Sequence, residues 1–283
     1  MLDDIRAALA RESPRYAGAP VVPLGAGLDN IAYEIGGELV LRRSRDDGPG
    51  VRLAAARHEA ALLTAVAAVS SLPVPEPVFV DEPTGILAYR KLPGAPLLFH
   101  PVADPAALAA PLAEFLTGLH DADSALSALV EVDDAPGAEW LAAAATSYET
   151  AAAVVAPADR RRVEAFLAAP PPGPPPRLTF CHNDLGAEHV LVGGGAITGV
   201  IDWTDAAIAD PAVDLGRLYR DLGQDVVERI VARYGGDADA VGPERIAFYA
   251  RCALLEDIAY GVENSGAAEY ARLGLAHLDR TFG

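Results

Sequence analysis

Short apolar runs separated by turns fill the first third of the chain. "VVPLGAG" at 21–27, "IAYEIGGELVLRR" at 31–43 and "VPEPVFVDEPTGILAYRKL" at 74–92 read as strands bounded by Gly and Pro. Paired glycines at 36 and 37 join two period-2 segments and predict a hairpin over 31–42. Between these runs, "VRLAAARHEAALLTAVAAV" at 51–69 has the apolar spacing and the length of a helix. The pattern is that of a small sheet with one helix inserted.

After "LPGAP" the character changes. Alanine- and leucine-rich segments at about 105–120, 138–156 and 158–169 predict helices of a bundle. "PPPGPPP" at 170–176 can hold neither a helix nor a central strand, so it reads as a rigid exposed loop, with a protein-interaction ligand as the alternative. "RLTF" and "HVLVGGGAITGVID" then read as short strands with a turn at Gly193–Gly195, and the chain from about 212 onward is helical. No period repeats, which excludes a solenoid. The expected class is α+β, with a small sheet lobe over 1–91 and a larger, mostly helical lobe over 92–283.

With 283 residues, 51% of them hydrophobic, the chain can bury roughly three quarters of its unfolded surface. Neither a signal-like start nor an apolar run of the about 20 residues a membrane span requires is present, so a cytoplasmic protein without a membrane partner is expected. A net charge of −18 argues against nucleic acid, whose phosphates need clustered positive charge, and favours cationic partners. Cys181 and Cys252 form no disulfide framework and sit in apolar contexts that suit buried thiols. Of the 22 basic side chains only Lys91 is a lysine, so a site usually built on lysine has to be read with arginine in mind.

The candidate chemistry begins with "FCHNDLGAEHVLV" at 180–192, where His182, Asp184 and His189 occupy a short polar interruption between apolar runs. Upstream lie a glycine turn, "LGAGLDN", the pair Arg42 and Arg43 at a strand end, and Glu59 in the following helix; downstream lies "VIDWTDAAIADPAVD". This ordered set, spread over about residues 20 to 270, resembles the kinase-like aminoglycoside phosphotransferases, especially those acting on a 2''-hydroxyl, and the related macrolide kinases. The fold implied is that of a two-lobed protein kinase. The implied activity is transfer of the γ-phosphate of ATP or GTP, with Mg2+, to a hydroxyl of a small molecule.

Phosphoryl transfer needs the phosphates neutralised, the acceptor hydroxyl oriented and its proton received, and little covalent help besides. "GAGLDNIAYEI" resembles the nucleotide loop running into the second strand, in which backbone N–H groups near Gly25 and Gly27 approach the triphosphate, and Asn30 is counted with them on the nucleotide side. Arg42 takes the place where kinases carry a lysine paired with a helix glutamate, here Glu59, with Arg43 as the alternative. Tyr89 precedes and Lys91 lies within "RKLPG", which the resemblance makes the hinge; in that family a bulky residue just before the hinge can obstruct adenine and leave room for guanine, so ATP and GTP both stay open. The resemblance makes Asp184 the carboxylate that orients the hydroxyl and receives its proton. It makes His182 a buried spacer, and His189 and Asp202 metal ligands, with packing as the alternative for His189. Asp205, Asp210 and Asp214 follow, and Asp210, before Pro211, is implied to brace the catalytic loop.

Near the C-terminus, "LLEDIAYGVENSG" sets Glu256, Tyr260 and Glu263 at spacings of four and three on one helical face, with Asp257 and Glu269 able to join them. Carboxylates beside an aromatic ring suit a cationic sugar, so an aminoglycoside is the first expectation for the acceptor; a plain solvated acidic face is the alternative. A macrolide or metabolite kinase, favoured by an apolar acceptor pocket, is the second reading. A nucleotide-binding pseudokinase, suggested by Arg42 and His189 in place of lysine and asparagine, is the third. A monomer or homodimer is expected.

Overall fold

The computed structural model describes residues 2–26, 30–45, 48–122, 124–237 and 240–283. Helix α1 (Leu2–Glu12) leads into strands β1 (Val21–Ala26), β2 (Asn30–Ile35) and β3 (Leu39–Ser44), then helix α2 (Pro49–Ala67) and strands β4 (Pro77–Asp81) and β5 (Ile86–Arg90). The strands form one antiparallel sheet in the order β1-β2-β3-β5-β4. Gly36 and Gly37 take φ of 60° and 78°, which fits the predicted hairpin turn between β2 and β3.

Side-chain alternation gives the sheet two working faces. Leu39, Leu41, Ile86 and Ala88 pack with Ile5, Leu9 and Tyr16 on the α1 side. Leu87 packs with Leu62, Leu63 and Val66 on the α2 side. Because Val40 pairs with Tyr89 and Arg42 with Leu87, Arg42 and Tyr89 also stand on the α2 side. Arg43, one residue on, faces the other way and donates to Asp4 of α1 at 2.8 Å. Helix α1 falls outside the sequence-predicted elements although Ile5, Ala8 and Leu9 keep helical spacing. It is tied down by Arg11, whose guanidinium grips the enclosed Asp81 with two bonds of 2.9 Å.

The second lobe runs through β6 (Ala95–Pro96), α3 (Ala109–His120), α4 (Ser124–Ser127), α5 (Gly137–Ala151), α6 (Pro157–Leu167), β7 (Thr179–Cys181), β8 (Val190–Gly193), β9 (Ala196–Val200) and β10 (Ala207–Ala209). It ends in α7 (Ala212–Leu222), α8 (Gln224–Val231), α9 (Pro243–Glu263) and α10 (Ala268–Phe282). The predicted helix at 105–120 opens with a 3-10 turn, Pro105–Leu108, before α3. The pattern over 138–169 divides where Pro157 starts α6, since Ala156 before it is held at an extended ψ of 145°. Strands β6 and β10 are too short to show a period in sequence and exist through pairing with β8 and β7.

That pairing positions the site. Because β10 pairs with β7 and β8 with β9, the segments 182–189 and 201–206 leave the same small sheets side by side. Helix α7 packs beneath them and crosses α9 closely at Gly216, where a Cβ would lie 2.6 Å from that of Tyr249. Cys181 and Cys252 are buried free thiols. Among the described residues no helix is long and apolar enough to cross a membrane.

Candidate active site

The loop between β7 and β8 is held by its own backbone and by its histidines. His182, fully buried, donates from Nε2 to the carbonyl of Ile201 at 3.0 Å and accepts the amide of Asp184 at Nδ1, 3.3 Å. That pattern specifies the neutral ring, and burial lowers its pKa. The ring links the backbone at Asp184 to that at Ile201. His189 donates from Nδ1 to the carbonyl of Asp184 at 2.7 Å, which leaves Nε2 facing Asp202 Oδ2 at 3.9 Å.

Asp184 projects between His189 and Arg217, with Oδ2 3.4 Å from His189 Nδ1 and Oδ1 3.3 Å from Arg217 Nε. Burial pushes its pKa up, but Arg217 and His189 outweigh that and hold the carboxyl below its usual range, so it is ionised at neutral pH. Asn183 and Asp202 both adopt left-handed backbone, with φ of 66° and 61°. Asn and Asp tolerate that region best among non-glycine residues.

Arg42 reaches from the sheet lobe into this cleft. Its Nη1 donates to Glu59 Oε1 at 2.9 Å, while Nη2 donates to Asp202 Oδ1 at 2.9 Å and to Thr204 Oγ1 at 2.7 Å. Burial alone would lower the Arg42 pKa, yet Glu59 and Asp202 raise it on balance. Asp202 moves the opposite way: burial is outweighed by Arg42 and His189, and its pKa falls to about 2. Tyr89 is partly buried beside Arg42 and Glu59, and desolvation raises its phenol.

With Oδ1 of Asp202 taken by Arg42 and Thr204, Oδ2 stays open toward Nε2 of His189. Two donor atoms 3.9 Å apart can share one small cation, and a third carboxylate, Asp205, lies close enough that Asp184 and Asp202 help raise its pKa behind the effect of burial. The donor set fits a hard divalent ion, with the imidazole as its softest member. Among the described residues the trios whose ligand atoms lie within 4.8 Å of one another are Asp184, Glu188 and His189, and the buried His120, Cys181 and Asp214.

The aspartate that braces the loop is Asp214, and this corrects the expectation for Asp210. Asp214 accepts the amides of His182 at 3.0 Å and Asn183 at 2.8 Å, and meets His120 Nε2 at 3.2 Å. Asp210 instead caps α7 through the amide of Ala212 and accepts from Tyr249 and Arg245 of α9, at 2.9 and 3.1 Å. The Asp-Pro pair marks the helix start, and only the helix's first turn brings Asp214 under the loop.

On α9 the acidic face is partly neutralised from within. Asp257 was expected to face the acceptor; it turns inward to the buried Arg220, 3.0 Å away, and burial drives its pKa up. Glu256 pairs with Arg217 at 3.2 Å but keeps an exposed side chain. Tyr260 is exposed and packs edge-on against Tyr270, Glu263 accepts from Thr150 of α5 at 3.1 Å, and Glu269 is engaged by Arg272. Lys91 pairs with Glu34 across the sheet, Gly25 stands near the end of β1 and Asn30 begins β2, and Gly27 lies outside the described residues.

The residues sequence reasoning missed are Arg217, Arg220, Asp221, Glu188 and Thr204. The first three share a helical face with Asp214, at 214, 217, 220 and 221, and that spacing is itself a legible signal of a shared polar face.

The sequence profile of the phosphotransferase enzyme family matches residues 20–249. The chain belongs to that family. Viomycin phosphotransferase of Streptomyces vinaceus is 30% identical over 200 residues, 68% of each chain. In fold, the chain matches a GDP and kanamycin complex of an APH(2'')-type phosphotransferase with a TM-score of 0.73 and 21% identity, over 98% of both chains. It also matches macrolide 2'-phosphotransferase MphH of Brachybacterium faecium with a TM-score of 0.61 and 27% identity, again over 98% of both. The chain is thus a nucleotide-dependent phosphotransferase with the kinase-like two-lobed fold expected from its motifs.

Proposed function

We propose that this enzyme moves the γ-phosphate of ATP or GTP to a hydroxyl of a small cationic acceptor, with Asp184 as the group that orients that hydroxyl. One observation carries the reading: Arg42 of the sheet lobe clamps both Glu59 and Asp202, and His189 stands between Asp202 and an ionised Asp184. In this reading Arg42 neutralises phosphate charge, and Glu59 holds it in place. Asp202 and His189 would hold Mg2+, which when bound neutralises charge on the transferring phosphates. Asp184 accepts a hydrogen bond from the acceptor hydroxyl and takes its proton late in transfer. Gly25 and the turn it opens, with Asn30, Tyr89 and Lys91, line the nucleotide side. Such a reaction draws on the cytoplasmic nucleotide pool, and the acidic surface gives no footing for nucleic acid.

An aminoglycoside remains the first acceptor, received by Glu256, Tyr260 and Glu263. The 30% identity to viomycin phosphotransferase supports a small-molecule acceptor and puts viomycin among those to test. The internal pairing of Asp257 and Glu256 favours a second reading, an acceptor with fewer ammonium groups such as a macrolide.

Mg2+-dependent turnover with ATP and GTP, measured against aminoglycosides, viomycin and macrolides, tests this. Turnover stimulated by one class identifies the acceptor, and none with any class sinks the reading. Asp184→Asn should lower kcat by about a hundredfold to ten-thousandfold while nucleotide affinity stays within about twofold. Unchanged turnover would remove Asp184 from the mechanism, and absent turnover in both proteins with tight nucleotide binding would favour a scaffold.

A further inference from the structure

Helix α7 turns one face toward the catalytic loop, and each polar residue on it has a different task. Asp214 fixes the backbone at His182 and Asn183, and Asp221 accepts the amide of Ala187 at 2.7 Å. Arg220, almost wholly enclosed, holds Glu188 and Asp257 at 3.0 Å each. Arg217, like Arg220, bridges a side chain of the loop and one of α9, but its pair is Asp184, 3.3 Å from Nε, and the exposed Glu256, 3.2 Å from Nη1. Its side chain is 13% exposed while that of Glu256 is 57% exposed, so the guanidinium lies beneath and Glu256 reaches up from it into the open. Nη1 donates to Glu256, while Nε and Asp184 Oδ1 attract as an ion pair without hydrogen-bond alignment, so a guanidinium drawn toward one carboxylate shifts the positive charge that the other sees.

We infer that Arg217 is a positioning residue that ties the orientation of Asp184 to the occupation of Glu256 by the acceptor. The inference rests on the reading of Asp184 given above and names the residue through which acceptor recognition on α9 acts on transfer. An acceptor ammonium that draws on Glu256 weakens its hold on Arg217, and the guanidinium then answers to Asp184 alone. Contacts made at Glu256 therefore register in kcat as well as in KM. Without Arg217, Glu256 would serve binding only, and Asp184 would lose the cation that fixes its Oδ1.

The test is a mutant cycle of Arg217→Gln, Glu256→Gln and the double variant, with Arg217→Lys as the conservative control. Nucleotide affinity by calorimetry and melting temperature are measured beside the kinetics. Arg217→Gln should lower kcat at least about tenfold with acceptor KM changed less than about threefold and nucleotide affinity intact. Arg217→Lys should recover part of that loss. Glu256→Gln should alter both kcat and KM in the parent enzyme but KM alone in the Arg217→Gln background. Unchanged kcat in Arg217→Gln, an equal kcat effect of Glu256→Gln in both backgrounds, or a kcat loss that merely follows lost nucleotide affinity would each overturn the inference. Should the parent enzyme phosphorylate no acceptor offered, the functional reading fails separately. Acceptor-independent nucleotide hydrolysis, in which Asp184 faces water, then takes the place of kcat: a change of at least about fivefold in Arg217→Gln supports the tie and a smaller one refutes it.

Discussion

Arg42 shows how much rests on a single register. One residue earlier or later on β3, the guanidinium would point toward α1, as that of Arg43 does. In place, it satisfies two carboxylates and a hydroxyl, and it leaves Glu59, only 15% exposed, with its charge compensated. Burial raises the Glu59 pKa even so. Arg42→Ala should weaken nucleotide affinity at least about tenfold and destabilise the fold by about 2 kcal/mol, because a nearly buried carboxylate loses its cation. Arg42→Lys, a point charge that cannot meet Glu59 and Asp202 with separate nitrogens, should restore less than half of the lost binding free energy. Calorimetric titration with nucleotide and Mg2+, and denaturant melts, check both.

Helix α1 and the α7–α9 crossing make two further predictions. Asp81 is fully enclosed; burial pushes its carboxyl up, but the Arg11 fork and the Thr84 hydroxyl and amide hold it below the ordinary aspartate range. A depressed folded pKa contributes stability that is complete above the unfolded value of about 4 and is lost as pH falls through the folded one. Asp81→Asn should therefore destabilise the protein by about 1–3 kcal/mol at pH 7, and the gap from the parent should shrink below about pH 4 in urea melts. At the helix crossing, Gly216→Ala would set a methyl against Tyr249 Cβ at 2.6 Å and Ala250 N at 3.0 Å. Backbone on α9 cannot yield as a side-chain tip can, so α7 must shift; a loss of about 1–3 kcal/mol is expected, with kcat falling because Asp214 and Arg217 move with the helix. Normal stability and activity in that variant would show that the crossing has slack.

Across the molecule, the apolar core on the α2 side of the sheet is continuous with that of the helical lobe: Leu62, Leu63, Val66 and Leu87 belong to the same cluster as Leu112, Phe115, Trp203 and Leu254. The polar cleft above it is spanned by Arg42 and Asp202. The two lobes should therefore unfold together. Nucleotide with Mg2+ at about a hundred times its dissociation constant should add about 2.7 kcal/mol, moving circular-dichroism and tryptophan-fluorescence transitions by the same amount. Separate transitions, one of them insensitive to ligand, would mean that the shared core does not couple the lobes.

Local pattern sufficed for the strands, the main helices, the two lobes and the order of the motifs, because periodicity, glycine turns and Asp-Pro punctuation are properties of neighbouring residues. It also sufficed to nominate Arg42, Glu59, Asp184, His189 and Asp202, which resemble a known arrangement, and the structure brings these five into one cleft. Partners chosen across long separations were decided only by folding. Asp214 rather than Asp210 holds the loop because helical rotation, not proximity in sequence, aims it there. Asp257 leaves the acceptor face because a buried arginine must have carboxylates around it, and Arg220 draws on three. Arg217, nothing more than one basic residue in a helix when read along the chain, becomes the contact between Asp184 and Glu256 of α9 once α7 and α9 cross at a glycine. Charge placed by tertiary contact carries no local signature, since its meaning lies in residues 30 to 160 positions away.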